Sequence, residues 1–324
     1  MKKILVLLAM TFTLFSAPPI VSVHLGPFLP PYYKYALQQA MVFNPDSEVY
    51  LLVESKLYNL CKKKKVFIPD GVRVINVDAI PHKQKQFEFR CKQAETEFYW
   101  RVVIERLFVL ERFMIDRELR DMIHIEGDVL LYSDFEHLIP EMQRSPMGVL
   151  MGYVSDDLAG PGISYFRDAE SIGELTEYIL QNANVKAGCQ CNDMLLSARS
   201  NLVGGLPVVP PDFSKGRPLT NVLGDHVAKN KARYEGYYEY QGEKSLFDPN
   251  PFGQYVDGLS KAHASHGVPG YICPNAVYQF DQVGVLWKND SQGRKVPYIS
   301  FEGELYRMNN IHVHSKRLEK FISW

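Results

Sequence analysis

Apolar and polar positions follow two different periods along the first half of the chain, and the changes of period divide it into strands and helices. Apolar runs at 20–26, 48–54 and 72–80 predict strands, whereas 32–43 and about 95–119 have the spacing of helices. In the long helix, apolar residues recur every three or four positions, which gives a stripe that can pack on a sheet. The alternation predicts an α/β fold with a mostly parallel central sheet flanked by helices.

The second half has a less regular pattern. It predicts strands at 148–153 and 162–166, a helix near 192–199, and an irregular run rich in proline and glycine at 204–218. A chain of 324 residues is long enough for one large domain of two joined halves. We therefore expect a single domain from residue 20 to the end, divided near residue 150.

The acidic triplet Glu126-Gly127-Asp128 follows an apolar stretch and precedes another. If the chain stays extended through it, His124, Glu126 and Asp128 point to one side, and Gly127 lets a ligand approach the backbone. The strand order places the triplet at the carboxyl end of a strand, where open α/β sheets bind ligands. Two carboxylates there suit a hard divalent cation that holds phosphate groups. The alternative is a solvated loop, but apolar flanks on both sides favour a buried site.

Composition and charge narrow the function classes. Hydrophobic residues make up 46% of the chain and aromatic residues 12%, which is enough for a core. The formal net charge of −1 argues against a nucleic-acid surface. The lysine run 62–65 is predicted to be a solvated loop between two strands rather than a phosphate or membrane patch. The five cysteines are an odd number, and Cys189 and Cys191 are too close for an ordinary disulfide, so no disulfide framework is predicted.

Residues 1–19 resemble a signal or membrane-anchor segment. A basic start at 1–3 precedes an apolar core at 4–15 that is too short for a standard transmembrane helix. Pro18 is unfavourable for cleavage after Ala17. The segment predicts that the protein associates with a membrane through its N-terminus or is located in a secretory compartment. A membrane-associated protein on the cytoplasmic face is a third location that the segment allows. The alternative is that 4–15 is a buried strand or helix.

Four segments carry a resemblance to a known family. They are 98–111, 124–132, 247–258 and 308–319. With these segments in this order, the chain resembles glycosyltransferases of the GT-A fold, close to a capsular-polysaccharide-type group. Glu126 stands where the family's Asp-x-Asp motif usually has an aspartate. The resemblance implies a GT-A domain in which the half before residue 150 binds the donor and 151–324 binds the acceptor.

The resemblance implies transfer of a sugar from a UDP- or GDP-sugar to a glycan or other hydroxyl acceptor, with Mn²⁺ or Mg²⁺ on the donor's diphosphate. Asp128 is then a direct metal ligand, and Glu126 binds either the metal or the ribose. His312 and His314 share one face of an extended stretch, and one of them is expected to complete the metal site. Lys316 is expected to neutralise phosphate.

Further residues have two interpretations each. Arg106 either neutralises phosphate or forms a structural ion pair. His24, Gly26 and Tyr32, on and after the first strand, are expected to contact the nucleoside, although core packing explains Tyr32 equally well. Asp193 is a candidate catalytic base for an inverting reaction, or else a helix cap.

Four further residues have lower rank as site residues. Asp156 and Asp157 form a second acidic pair near the expected acceptor cleft. Gln254 and Asp257 are expected to orient substrate or hold a turn.

Two other functions remain open. One is a catalytically silent protein that binds sugar-nucleotides or glycans on the same scaffold, which the Glu126 substitution permits. The other is a glycoside hydrolase, but carboxylates on one face are poorly placed to flank a glycosidic bond.

Overall fold

The computed structural model describes residues 17–81, 94–183, 193–211, 233–258 and 284–324. The strands in these ranges are β1 Ile20–His24, β2 Val49–Val53, β3 Arg73–Asn76, β4 Met122–Ile125, β5 Val129–Leu131, β6 Val149–Ser155, β7 Leu158–Phe166, β8 Val203–Leu206, β9 Tyr238–Tyr240, β10 Glu243–Leu246, β11 Gly284–Asn289, β12 Lys295–Phe301, β13 Glu304–Met308 and β14 Asn310–His312. The α-helices are α1 Tyr33–Phe43, α2 Ser55–Lys62, α3 Ala94–Arg117, α4 Ile139–Gln143, α5 Ala169–Asn182, α6 Asp193–Arg199 and α7 Pro251–Asp257.

The central sheet has seven strands in the order β3-β2-β1-β4-β7-β6-β8. Strands β3, β2, β1 and β4 run parallel, as do β6 and β8, whereas β7 is antiparallel to both of its neighbours. Helices α1, α3, α5 and α6 pack against strands of this sheet. The predicted fold class, an α/β domain with a mostly parallel central sheet flanked by helices, is confirmed.

Strands β1 and β4 bring the acidic triplet to one edge of the central sheet. They are parallel neighbours, with Ile20 opposite Ile123, so both strands end at the same edge. Both are buried along nearly their whole length, as expected for strands that are covered on both faces. The edge at which His24 and Glu126 lie is therefore the end of two buried strands.

A second sheet and a short ribbon complete the described fold. The second sheet has the order β11-β12-β13-β10-β9 and is mainly antiparallel. In the ribbon, β14 pairs antiparallel with β5, and His312 lies opposite Val129. This pairing brings the end of the chain beside the acidic triplet.

Several predicted boundaries are wrong for local reasons. Strand β3 ends at Asn76, because the Asn76 side chain accepts a hydrogen bond from the Asp78 N–H and begins a 3-10 turn. The start of the proline- and glycine-rich run belongs to β8, where a Cβ on Gly205 would lie 1.3 Å from the Arg233 carbonyl oxygen. Helix α5 was not predicted. The lysine run 62–65 is exposed and lies between β2 and β3, as predicted, but Lys62 is the last residue of α2.

Three further observations concern an ion pair on α3, the N-terminal segment and the cysteines. The Arg101 Nε lies 3.6 Å from Glu105 Oε2, which is an ion pair four positions apart on α3. Residues 1–16, which include most of the signal-like segment, lie outside the described residues. In the part of the chain that the structure describes, no helix has both the length and the apolar character needed to span a membrane. Cys61 has a free thiol, and the other four cysteines lie outside the described ranges.

Candidate functional site

The acidic triplet forms a turn, so the prediction of an extended chain through Glu126 and Asp128 is wrong. Strand β4 ends at Ile125, and the Val129 N–H donates to the Glu126 carbonyl oxygen at 3.1 Å. His124 consequently does not share a side with the carboxylates: its Nδ1 lies 2.9 Å from the Val21 carbonyl oxygen in the core. Burial, together with the Arg106 charge, lowers the pKa of His124 to about 4.

Gly127 makes room for a tyrosine rather than for a ligand. A Cβ at this position would lie 2.0 Å from the ring of Tyr33, so only glycine fits. The Tyr33 ring is buried and makes an edge contact with His24 and a stacked contact with Tyr32. The close approach predicted at Gly127 exists, but its partner is part of the protein.

Three side chains converge in a potential metal group. In the described residues, one ligand atom each from Glu126, Asp128 and His312 lies within 4.8 Å of the others. His312 Nε2 is 3.0 Å from Asp128 Oδ2 and 3.5 Å from Glu126 Oε2. Two carboxylates and one imidazole suit Mn²⁺ and are compatible with Mg²⁺. The donor set therefore fits a divalent cation.

Asp248 fixes the backbone that carries His312. Its carboxylate accepts hydrogen bonds from the backbone N–H groups of Asn250, Phe252, Gly253 and His312, at 2.8 to 3.0 Å. Asp248 is not among the predicted site residues, although an aspartate before Pro-Asn-Pro is a typical acceptor for turn N–H groups. Gly253 is part of the same arrangement, because a Cβ there would lie 1.8 Å from the His312 carbonyl oxygen.

Two more groups lie beside the metal group. The Lys316 ammonium forms an ion pair with Asp128 and lies 5.8 Å from the centre of the Tyr32 ring. The His314 ring stacks on His312 with a centroid separation of 4.2 Å, and His314 Nε2 is 3.5 Å from Gln254 Nε2. His314 lies outside the three-residue group found in the described ranges.

Arg106 joins two carboxylates from distant parts of the chain. Its guanidinium lies 2.5 Å from Glu126 Oε1 and 3.2 Å from Asp193 Oδ2, and all three side chains are largely buried. Asp193 is the first residue of α6, and its Oδ1 also accepts from the Met194 N–H at 3.0 Å. The structure thus brings the candidate base, Arg106 and the acidic triplet into one cluster.

The charges of this cluster shift its pKa values in opposite directions. Burial raises the pKa of Asp128, but His312 and Lys316 outweigh it and hold that pKa well below the usual range. Burial also raises the pKa of Glu126, but the Arg106 charge outweighs burial, so that the pKa of Glu126 is lowered. At Asp193 burial dominates and the pKa is raised. The pKa of His312 is raised, because Asp128 outweighs the effect of burial.

The remaining predicted residues border the cluster or lie in turns. His24 Nε2 is 2.8 Å from the Phe28 carbonyl oxygen, and a Cβ on Gly26 would lie 3.2 Å from the same nitrogen. Asp257 accepts hydrogen bonds from Ser315 and Arg317, the neighbours of Lys316. Asp156 and Asp157 lie in the turn between β6 and β7.

Comparisons with known proteins give similar folds only. No protein-family model and no curated protein matches the chain. Mouse xyloside xylosyltransferase 1 is similar with 8% identity and a TM-score of 0.40, over 68% of this chain and 94% of that one. The glycosyltransferase GlyE of Streptococcus pneumoniae is similar with 10% identity and a TM-score of 0.39, over 59% of this chain and 45% of GlyE. The galactosyltransferase LgtC is similar with 13% identity and a TM-score of 0.38, over 67% of this chain and 83% of LgtC.

These three proteins are glycosyltransferases by name. At such identities and TM-scores the similarity carries no argument about activity. The functional conclusion rests on the side chains of the cluster.

Proposed function

We propose that this protein is a metal-dependent glycosyltransferase that transfers a sugar from a UDP- or GDP-sugar to a hydroxyl group of a glycan acceptor. The observation that carries the proposal is the convergence of Glu126, Asp128 and His312 at the carboxyl edge of a mostly parallel sheet. Such an edge is where α/β enzymes bind nucleotides, and the donor set suits a cation that binds phosphate.

The residues of the metal group have distinct roles in this proposal. Asp128 and His312 hold Mn²⁺ or Mg²⁺, and Glu126 either completes the coordination or contacts the ribose. When bound, the cation stabilises the negative charge that develops on the departing nucleoside diphosphate. Lys316, which pairs with Asp128, supplies a second positive charge for phosphate oxygens.

Arg106 and Asp193 support the transfer step. Arg106 holds the Glu126 carboxylate in place through a contact of 2.5 Å. In an inverting reaction, the oxygen of the acceptor hydroxyl forms a bond to the anomeric carbon while the bond from that carbon to the diphosphate breaks. Asp193 accepts the proton that the acceptor hydroxyl loses. A raised pKa is what such a base requires. His24, Gly26 and Tyr32 are proposed to contact the nucleoside.

The spacing of the carboxylates favours transfer over hydrolysis by two carboxylates. Glu126 and Asp128 both contact the same ring nitrogen of His312, at 3.5 Å and 3.0 Å. Glycoside hydrolases place a sugar between two carboxyl groups that are about 5 Å or more apart. One oxygen of Glu126 and one of Asp128 lie within 4.8 Å of each other and share one imidazole partner, a spacing below that of the hydrolase pairs.

We also propose a location for this protein in the cell. The basic and apolar start of the chain supports association with a membrane or a secretory compartment, with the active site facing a pool of nucleotide-sugar. A reporter fused to residues 1–30 tests this, and a reporter that stays soluble in the cytosol contradicts it.

Turnover of donor tests the proposed activity. The protein is incubated with UDP- and GDP-sugars, each with Mn²⁺ or with EDTA, and released nucleoside diphosphate is measured. We expect metal-dependent release from one donor class, loss of release in Asp128→Asn, and normal release in the control Glu141→Gln, which changes an exposed ion pair. Metal-dependent binding of nucleotide without any turnover would instead support a silent binding protein.

A further inference from the structure

The outer surface around α2 combines lysines with two exposed phenylalanines. Phe28 is 74% exposed and Phe67 is 70% exposed, and they are the most exposed large apolar side chains of the described residues. Lys56 and the run 62–65 are exposed between them along the chain. We refer to Phe28, Lys56, residues 62–65 and Phe67 as the α2 face.

The geometry of α2 places these groups on one side of the molecule. Lys56, Asn59 and Lys63 are spaced by three and four positions and so lie along one outer stripe, while Leu57 is buried on the inner side. At one end of the stripe, the Lys56 ammonium lies 5.6 Å from the centre of the Phe28 ring. At the other end, Phe67 lines a surface depression together with Lys62, Lys64 and Lys65.

The α2 face is strongly basic in a chain that is close to neutral. Residues 54–70 contain five lysines against two acidic residues, Glu54 and Asp70, whereas the whole chain has a net charge of −1. In the described ranges, none of the five lysines is within ion-pair distance of a carboxylate. Their charge is therefore available to an anionic partner.

We infer that the α2 face docks on an anionic lipid bilayer. Lysines attract anionic headgroups, and their long apolar stems let the ammonium groups stay in water while the surface approaches the bilayer. Phenylalanine rings at both ends of the stripe have the apolar surface that the headgroup region can bury. A purely electrostatic polyanion needs the lysines but gives no role to Phe28 and Phe67.

Docking in this way orients the candidate site. Phe28 lies in the loop between β1 and α1, and His24 Nε2 contacts its carbonyl oxygen at 2.8 Å. The same loop leads to Tyr32, whose ring lies beside Lys316. A bilayer that binds Phe28 would hold the loop from Phe28 to Tyr32, and with it this side of the candidate site, near the membrane surface. The inference does not depend on the proposed activity, since the α2 face includes none of the residues of the metal group.

Vesicle co-sedimentation of the full chain tests the inference. Binding is compared between phosphatidylcholine vesicles with and without phosphatidylglycerol, and variants of the α2 face separate its contribution from that of residues 1–16, which they leave unchanged. We expect the paired variant Lys64→Gln/Lys65→Gln to bind the anionic vesicles about tenfold more weakly, and Phe67→Ser to lose a similar factor. The matched controls are Lys288→Gln/Lys295→Gln, two exposed lysines of the second sheet, and Ile115→Ser, another exposed apolar residue.

Each result decides the inference. Weaker binding in the α2-face variants, with unchanged controls and unchanged far-ultraviolet circular dichroism, supports it. Equal binding by α2-face and control variants, or no preference for phosphatidylglycerol, overturns it. Loss of binding in the lysine variant with no effect of Phe67→Ser also overturns it, because the partner would then be recognised by charge alone.

Discussion

His312 Nε2 lies 3.0 Å from Asp128 Oδ2, although the two residues are 184 positions apart in the chain. The contact exists because β14 pairs with β5, so that the last described strand returns to the turn after β4. Two sides of the candidate metal site therefore come from segments that are far apart in the chain. Changes in the backbone around His312 should affect the site as strongly as changes in the acidic triplet.

Gly253→Ala tests this dependence on the backbone. The added Cβ would lie 1.8 Å from the His312 carbonyl oxygen, so α7 or β14 must shift. We expect the free energy of unfolding to fall by about 2 kcal/mol and Mn²⁺ affinity to fall with it. Chemical denaturation and calorimetric titration measure the two effects. Gly284→Ala is the control, since its Cβ would meet nothing closer than 3.8 Å; equal effects of both substitutions would contradict the role of Gly253.

Much of the first half follows from its pattern. Strands β1 and β2 and helix α1 begin and end within two residues of the predicted positions, because long apolar runs and clear helix stops determine them. The second half depends on pairings between distant segments. The side chains of β12 are buried almost without interruption, so they lack the alternation that identifies a strand.

The site was predictable to a similar extent. Residue types and the resemblance identified Glu126, Asp128 and His312, since metal ligands are restricted to a few side chains. Asp248 and Tyr33 were missed, because what they do depends on tertiary contacts: Asp248 binds a backbone N–H 64 positions away. The turn at Gly127 was also missed, since the alternation of side chains does not show that the strand ends at Ile125 and that the Val129 N–H then donates to the Glu126 carbonyl oxygen.

Removing Arg106 should leave two buried carboxylates without their shared cation. For Arg106→Met we expect a loss of about 3 kcal/mol in the free energy of unfolding at neutral pH, because Glu126 and Asp193 are both largely buried. The loss should shrink below the pKa values of the two acids, where they are protonated. Urea unfolding at several pH values measures this. The exposed pair Arg144–Glu141 is the comparison, and Arg144→Met should cost roughly 0.5 kcal/mol.

His124 should make the metal-free protein less stable as the pH falls. Its pKa is 6.5 in the unfolded chain and about 4 in the folded protein, where burial disfavours the charged imidazole. Between these values the unfolded state binds more protons, so lowering the pH through this window should remove up to roughly 3 kcal/mol of stability. Unfolding in EDTA at a series of pH values measures the slope, and His124→Gln should flatten it. An NMR titration that gave His124 an ordinary pKa would contradict this prediction.

Lys316 should compete with the cation for Asp128. Its ammonium pairs with the carboxylate that we propose as a metal ligand. For Lys316→Met we therefore expect Mn²⁺ to bind about tenfold more tightly in the absence of nucleotide, and nucleoside diphosphate to bind more weakly in its presence. Lys320→Met is the control, because Lys320 pairs with Asp257 instead. Unchanged Mn²⁺ affinity in Lys316→Met would show that the pair does not restrict the site.

Calorimetric titration with nucleotide is the most direct test of the proposed donor site. The protein is titrated with UDP and with GDP, each in Mn²⁺ and in EDTA, and the same titrations are run on Asp128→Asn and on Glu141→Gln. We expect that one nucleotide binds only with Mn²⁺, that Asp128→Asn abolishes the binding, and that Glu141→Gln leaves it unchanged. Nucleotide binding that persists in EDTA and in Asp128→Asn, or no binding under any condition, would contradict a metal-dependent donor site at Glu126, Asp128 and His312.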